Sequence, residues 1–207
     1  MDSKNIKKFT YNDLKIEIHP EVYDPAEDTF IILENIELNK SDCVLEIGTG
    51  CGIIALECAK RVCNVIATDI SPFAINCAKR NYIKNKNLLN ANIEFRQGDL
   101  FSVIENKEEF DVIIFNPPYL PTNSNKKIKS WLNFAFDGGK DGIATTKRFL
   151  NEVIRYLNKI GKAYFIFSSY SNQEKLRNIL DKNKIKAEVI SSLKFDTERI
   201  DLYKIHL

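Results

Sequence analysis

Short apolar, β-branched runs alternate along this chain with segments whose apolar residues recur every three or four positions. The first period marks strands and the second marks helices. Cys43 to Ile47 reads as a strand and Ile53 to Arg61 as a helix; Asn64 to Thr68 is the next strand. Ser71 is a good N-cap and Pro72 a good first helical residue, so a helix is expected from there to about Asn85. Ile93 to Arg96 and Asp111 to Phe115 follow as strands, then Thr146 to Leu157 as a helix with its turn ended by Gly161, then Ala163 to Phe167 as a strand. Ser171-Asn-Gln-Glu174 has the form of a capping box opening another helix. Val189 to Leu193 and Ile200 to Ile205 close the pattern as two strands with no helix between them.

Strands that are apolar throughout and alternate with helices imply an α/β, doubly wound, mostly parallel sheet covered on both faces. Seven strands are counted in it, and the two closing strands imply an antiparallel edge. Short strands around Phe9 and Ile16 to Ile18 and a helix near Ala26 to Asn35 come first. They read as an N-terminal extension (residues 1–40) on a core of residues 41–207, together a single domain. No internal repeat and no Pro- or Ser-rich linker divides the chain.

The 207 residues include 30 basic and 28 acidic side chains, a formal charge of +2. No polybasic arm advertises nucleic-acid binding, although Lys126, Lys127 and Lys129 form a short basic run. Apolar runs of about five to eight residues fall far short of the ~20 that span a bilayer, and no signal-peptide core precedes them. The five cysteines form no CxxC pair and only two histidines are present. No metal site is therefore expected, and buried reduced thiols in the cytoplasm are the better reading.

Three features at the carboxyl ends of successive strands carry binding chemistry, and open α/β sheets take their ligands there. Glu46-Ile-Gly48-Thr-Gly50-Cys-Gly52 joins the first core strand to its helix, where glycines admit a ligand close to the backbone. Its GxGxG spacing differs from the dinucleotide GxGxxG, with Ile53 at the third dinucleotide position. Asp69 closes the second strand, where a carboxylate accepts both hydroxyls of a ribose. Asp99 and Leu100 follow the third, where an acid and the adjacent backbone read an adenine edge while Leu100 packs on its face.

The fourth strand ends in Asn116-Pro117-Pro118-Tyr119. The plain reading is a stiff turn, since two prolines fix φ. The tetrapeptide also suits the methylation of a planar amino group, which is a poor nucleophile. The Asn116 side-chain oxygen and the Pro117 carbonyl would each accept one N–H, orienting the nitrogen lone pair, and Tyr119 would stack on the planar group. Positioning and electrostatics would then supply most of the rate.

Together EIGTGCG, Asp69, GDL and NPPY resemble class I S-adenosylmethionine-dependent methyltransferases that modify planar amino groups. Val22-Tyr-Asp-Pro-Ala-Glu-Asp-Thr29 is similar to the VYEPAEDT segment of the archaeal and eukaryotic HemK-type branch, with Asp24 in place of Glu. Asp137 to Gly142 (DGGKDG) resembles the glycine loop that follows NPPY in that family. The likeness covers about residues 20 to 205. It implies N5-methylation of the GGQ glutamine of a class I peptide chain release factor, with S-adenosylmethionine as cofactor. It further implies that Tyr23 and Thr29 close over the methionine part, with the Thr29 hydroxyl near its carboxylate. Glu46, Gly48 and Gly50 would line the glycine loop, Asp69 would hold the ribose, and Asp99 and Leu100 the adenine. Asn116 would contact the reacting amine, with Pro117, Pro118 and Tyr119 completing the substrate pocket. The short branch pairs with a small zinc-binding activator protein at a sheet edge, which implies a heterodimer here.

Other readings stay open at this point. NPPY serves adenine N6 and guanine N2 equally well, so an exocyclic-amine methyltransferase for RNA or DNA is the runner-up. A protein lysine methyltransferase suits the motif less, because an ammonium lacks planar amide geometry. A nicotinamide dehydrogenase is disfavoured by the glycine spacing, and a cofactor-binding scaffold without activity by the intact Asn116, Asp69 and Asp99. The loop from Thr122 to Ser130, with Asn, Ser and Lys in place of apolar anchors, is expected to order on substrate binding.

Overall fold

The computed structural model of the chain describes residues 6–62, 64–122 and 130–206. Cys63, the basic run at Lys126, Lys127 and Lys129, and most of the Thr122–Ser130 loop lie outside the described residues. The chain opens with a hairpin of β1 (Lys7–Tyr11) and β2 (Leu14–Ile18), followed by α1 (Glu27–Asn35). The core then runs β3 (Cys43–Ile47), α2 (Ile53–Ala59), β4 (Asn64–Asp69), α3 (Pro72–Asn85), β5 (Ile93–Gln97) and β6 (Phe110–Phe115). After the one-turn helix α4 (Trp131–Phe134) come α5 (Ala144–Glu152), β7 (Leu157–Ser168), α6 (Gln173–Lys182), β8 (Lys186–Lys194) and β9 (Arg199–His206).

Seven strands form one sheet in the order β5-β4-β3-β6-β7-β9-β8. The five strands from β5 to β7 are mutually parallel. The strand that runs against the others is β9, second from the far edge, which pairs with β7 on one side and with the edge strand β8 on the other. Because side chains alternate across a strand, neighbouring residues feed different cores. Val44 and Val112 face α1, α2, α3 and the hairpin, while Leu45 and Ile113 face α5 and α6. The second core is rich in aromatic rings: Phe101 stacks on Tyr156 at 4.6 Å, and Phe149 packs against Phe115 at 5.0 Å.

Two buried asparagines fasten the hairpin to the core. On α3, Asn81 and Asn85 stand one turn apart and treat β2 as a strand would. Asn81 Oδ1 accepts from the Glu17 N–H (3.0 Å) and its Nδ2 donates to the Glu17 carbonyl (2.8 Å). Asn85 makes the same pair with Lys15, at 2.9 and 3.0 Å. Asn81 Nδ2 also donates to the carbonyl of Cys51, inside the glycine loop (2.8 Å).

Several boundaries differ from those expected. The helix expected over 146–157 starts at Ala144, tightens to a 3-10 turn at Val153–Tyr156, and gives way to strand at Leu157, which pairs with Phe110. Gly161 lies inside β7, where a Cβ would meet the Phe110 carbonyl at 2.9 Å. The expected Ser171 cap is instead Asn172, whose side chain accepts from Lys175 N–H (2.9 Å). Ser171 is used elsewhere, as described below. Among the described residues no helix is long and apolar enough to cross a membrane.

Candidate active site

The carboxyl ends of β3, β4, β5 and β6, together with the first turn of α1, surround a cavity of about 490 Å³. All twelve residues singled out from the sequence line it: Tyr23, Thr29, Glu46, Gly48, Gly50, Asp69, Asp99, Leu100, Asn116, Pro117, Pro118 and Tyr119. Its size falls within the ~300–1,000 Å³ typical of small-molecule sites.

The glycine loop leaves β3 with Gly50 and Gly52 both in left-handed backbone, at φ +55° and +87°. A Cβ on Gly52 would stand 2.9 Å from Ala78 Cβ, so glycine lets α3 approach the loop. A Cβ on Gly50 would meet nothing within 4 Å, so this side of the loop is open. Glu46 is fully buried beneath it, its Oε2 accepting from the Thr49 hydroxyl (2.6 Å) and the Ala55 N–H (3.0 Å). Burial, with a smaller contribution from the charge of Asp69, pushes its carboxyl up to about 8 against the pull of those two bonds. Asp69 accepts from Gly50 N–H (2.9 Å) and Ser71 N–H (2.8 Å), which oppose the upward push of burial on its carboxyl. A carboxylate has about four acceptor sites, so acceptor capacity remains after these bonds and a further one from the Ile70 backbone.

At the end of β5, Leu100 is held at φ +48° and its side chain is buried in the second core. Left-handed backbone is costly for a branched residue, and such strain gathers at functional sites. The preceding Asp99 carries an ion pair that the sequence did not foreshadow: Arg148 of α5 donates to its Oδ2 at 2.8 Å. Both partners are about half exposed, so the pair is a weak staple.

The NPPY turn is braced from two sides. Leu120 pairs with Asp137 across the DGGKDG loop: Leu120 N–H donates to Phe136 and Gly138 N–H to Leu120. The Ser171 hydroxyl donates to the Tyr119 carbonyl (2.7 Å). Gly142, at φ +72°, passes so close that a Cβ there would stand 2.5 Å from that same carbonyl.

The group that ties these parts together is Asp28, which the sequence reading passed over in favour of its neighbours. It is 3% exposed. Its Oδ1 accepts from the Thr29 N–H (2.7 Å) and hydroxyl (3.3 Å), and its Oδ2 from Asn116 Nδ2 (3.1 Å) and the Tyr119 hydroxyl (3.2 Å). The Tyr23 hydroxyl donates to both oxygens, at 2.9 and 3.0 Å. Burial first, and the Asp28 charge second, push the hydroxyls of Tyr23 and Tyr119 well up, so both remain donors. Thr29 and Tyr23 therefore line the cavity with their hydroxyls already engaged by Asp28. Asn116 Oδ1 is buried and has no hydrogen-bond partner. A buried acceptor without a donor is rare and calls for an explanation. Among the described residues no histidine lines the cavity; Trp131, Phe134 and Phe136 stand on its wall beside Tyr119.

The methyltransferase small domain family model matches residues 20–191. A Methanocaldococcus jannaschii protein, provisionally named a protein N5-glutamine methyltransferase, is 44% identical over 188 residues, covering 90% of this chain and 92% of that one. The release factor glutamine methyltransferase of Streptococcus pneumoniae is 37% identical over 141 residues, which are 65% of this chain but only 48% of the larger bacterial protein. Among solved structures, the E. cuniculi Mtq2–Trm112 complex responsible for methylation of the eRF1 translation termination factor matches with a TM-score of 0.65. That match covers 90% of this chain and 98% of the other at 21% identity, a likeness of fold.

Proposed function

We propose, because the chain belongs to the methyltransferase small domain family, that it is an S-adenosylmethionine-dependent enzyme methylating the side-chain N5 of the GGQ glutamine in a class I peptide chain release factor. The observation that carries the chemistry is the unpaired, buried Oδ1 of Asn116 on the NPPY turn. It is an acceptor in need of an N–H donor, and a planar amide or amine nitrogen supplies one. The choice of glutamine among planar amines is supported by the name of the M. jannaschii relative, which is matched over nearly its whole length.

The residues fit the proposed donor. Asp69 keeps acceptor capacity for a ribose hydroxyl, Gly50 leaves the loop open to a ligand, and Asp99 keeps one carboxylate oxygen clear of Arg148 for an adenine amine. When bound, S-adenosylmethionine supplies an electrophilic methyl group on a sulfonium. Asn116 Oδ1 and the Pro117 carbonyl take the two N–H bonds of the substrate amide and so turn its lone pair toward that methyl. Tyr119 packs against the amide plane. Transfer would carry the methyl from sulfur to this nitrogen, leaving the thioether S-adenosylhomocysteine, and the nitrogen would release one proton to solvent. Positioning of this kind is worth several orders of magnitude in rate without a strong base.

A release factor as substrate supports a cytoplasmic enzyme working beside the translation machinery. A small zinc-binding activator would join it at one of the two exposed sheet edges, β5 or β8, as a heterodimer; the two-protein E. cuniculi structure supports such an assembly. The test is radiolabelled methyl transfer from S-adenosylmethionine to a release factor and to total RNA in parallel, with and without the activator. Label on the release factor that disappears when the GGQ glutamine is replaced is the expected result. Label on RNA alone would keep the chemistry of the NPPY turn and overturn the substrate.

A further inference from the structure

We infer that Asp28 is a positioning residue for methyl transfer: its carboxylate holds the Asn116 side chain with Nδ2 turned inward, so that Oδ1 is the atom left for the reacting amine. The inference rests on the proposed role of the NPPY turn and adds what sets its polarity.

An asparagine amide has two ends of nearly equal size and opposite hydrogen-bonding sense, and rotation by half a turn exchanges them. Nothing in NPPY itself chooses between the two. A nucleophilic NH₂ needs an acceptor; the wrong rotamer would meet it donor to donor. Asp28 makes the choice because an ionised carboxylate accepts only, so it fixes Nδ2 at 3.1 Å and leaves Oδ1 without a protein partner. The same Oδ2 takes the Tyr119 hydroxyl at 3.2 Å, so one oxygen orients both the amide and the ring proposed to flank the substrate.

The surroundings of Asp28 are arranged for this task. Five protein donors converge on it: the Tyr23 hydroxyl, the Thr29 N–H and hydroxyl, the Asn116 amide and the Tyr119 hydroxyl. No cation is among them. The carboxylate is thus filled from within the chain and has little capacity left for a ligand, which separates it from the acids proposed to bind the donor, Asp69 and Asp99. It also carries the first turn of α1 to the end of β6 across 88 positions of sequence. Closure of this corner and orientation of the amide are therefore one event.

The discriminating variants are D28N, N116D and the exchange D28N/N116D. In D28N the Thr29 N–H and hydroxyl and the Tyr23 hydroxyl keep the amide oxygen at the Oδ1 position, so the new NH₂ faces Asn116 and draws its oxygen inward, the wrong rotamer. In N116D two carboxylates face each other and cannot both ionise. The exchange restores a donor at position 28 and an acceptor at 116, though the Tyr119 hydroxyl loses its partner. Steady-state kinetics would use whichever substrate the wild-type enzyme labels, so failure on release factor overturns the substrate and leaves this test intact. D28N is expected to lose on the order of a hundredfold in kcat, with the calorimetric Kd for S-adenosylhomocysteine changed less than about threefold. The exchange is expected to regain about tenfold over the poorer single variant. As a readout free of substrate, the Asn116 side-chain NH₂ resonance, identified by its disappearance in N116D, should show one slowly exchanging proton in the wild type and none in D28N. Wild-type kcat in D28N, an exchange no better than the singles, or an unaltered Asn116 resonance would each overturn the inference.

Discussion

Replacing Asn81 with alanine removes, besides a long contact to Cys77 Sγ, three hydrogen bonds to backbone groups at one stroke, two to Glu17 and one to the carbonyl of Cys51. Asn81 is fully buried, so the space vacated is cut off from solvent, while the hairpin side of the contact lies nearer the surface. Each buried group left unpaired costs about 1–3 kcal/mol. Taking the low end at the two hairpin groups, which water reaches most easily, and the middle at Cys51, the loss comes to about 4 kcal/mol. Against a total stability on the order of 5–15 kcal/mol, that is severe but survivable. In a domain of this size it lowers Tm by roughly 8–16 °C. Urea and thermal denaturation followed by circular dichroism would measure it. Asn85→Ala is the informative companion, because it frees the same pair of groups on Lys15 but none in the glycine loop. By the same reckoning Asn85→Ala should lose about 2 kcal/mol, and only Asn81→Ala should also weaken S-adenosylhomocysteine binding, by about tenfold for a loop carbonyl set free. A loss below 1 kcal/mol in Asn81→Ala, or equal binding in the two variants, would refute the view that this side chain couples hairpin to loop.

Asn116→Ala should lower kcat by at least on the order of a hundredfold and leave the Kd for S-adenosylhomocysteine within a few-fold; retained methyl transfer would remove Asn116 from the mechanism. Glu46, held near 8 by burial, binds its proton in the folded state across a window where the unfolded chain has released it, so stability falls as pH rises from about 4.5 to 8. Glu46→Gln keeps an oxygen for Thr49 and Ala55 and should remove that slope, up to about 1.4 kcal/mol per pH unit; urea unfolding at pH 5, 7 and 9 would show it, and parallel profiles for the two proteins would contradict it. Gly142→Ala forces a methyl against the Tyr119 carbonyl in left-handed backbone and should cost about 1–3 kcal/mol together with most of the methyl transfer. Crystals of that variant with an unmoved NPPY turn and full activity would disprove the bracing role of the DGGKDG loop.

Much of the architecture was legible because local chemistry announced it. Ser71 and Pro72 start α3 where they should, Ser71 Oγ accepting from Ala74 N–H, and each core strand appears within a few residues of its apolar run. What escaped was set by partners distant in sequence. Ser171 looks like a cap, but its hydroxyl is spent on Tyr119, 52 positions away, so the neighbouring Asn172 caps α6 instead. The helix ahead of β7 ends early because Leu157 finds Phe110 to pair with. At the site, Tyr23 and Thr29 were found through their motif, whereas Asp28 between them was missed. Its meaning lies in a contact with Asn116, and no spacing within either segment encodes that contact. Arg148 was missed for the same reason: on an amphipathic helix it is one more exposed cation until Asp99 is placed beside it.

The interleaving of β9 between β7 and β8 has a consequence for how the molecule is made. Strand β8 is synthesised before β9, yet its sole sheet neighbour is β9. Until residues 199–206 have left the ribosome, β8 has no strand to join and β7 keeps an open flank beside its parallel partner β6. During translation this half of the sheet thus exposes two unsatisfied edges, a hazard for mispairing with other chains. A chain truncated and released before Arg199 should keep an α1–α3 layer that resists protease while residues beyond β7 are cut. Restoring residues 199–206 should convert that half to the protected state in a single step.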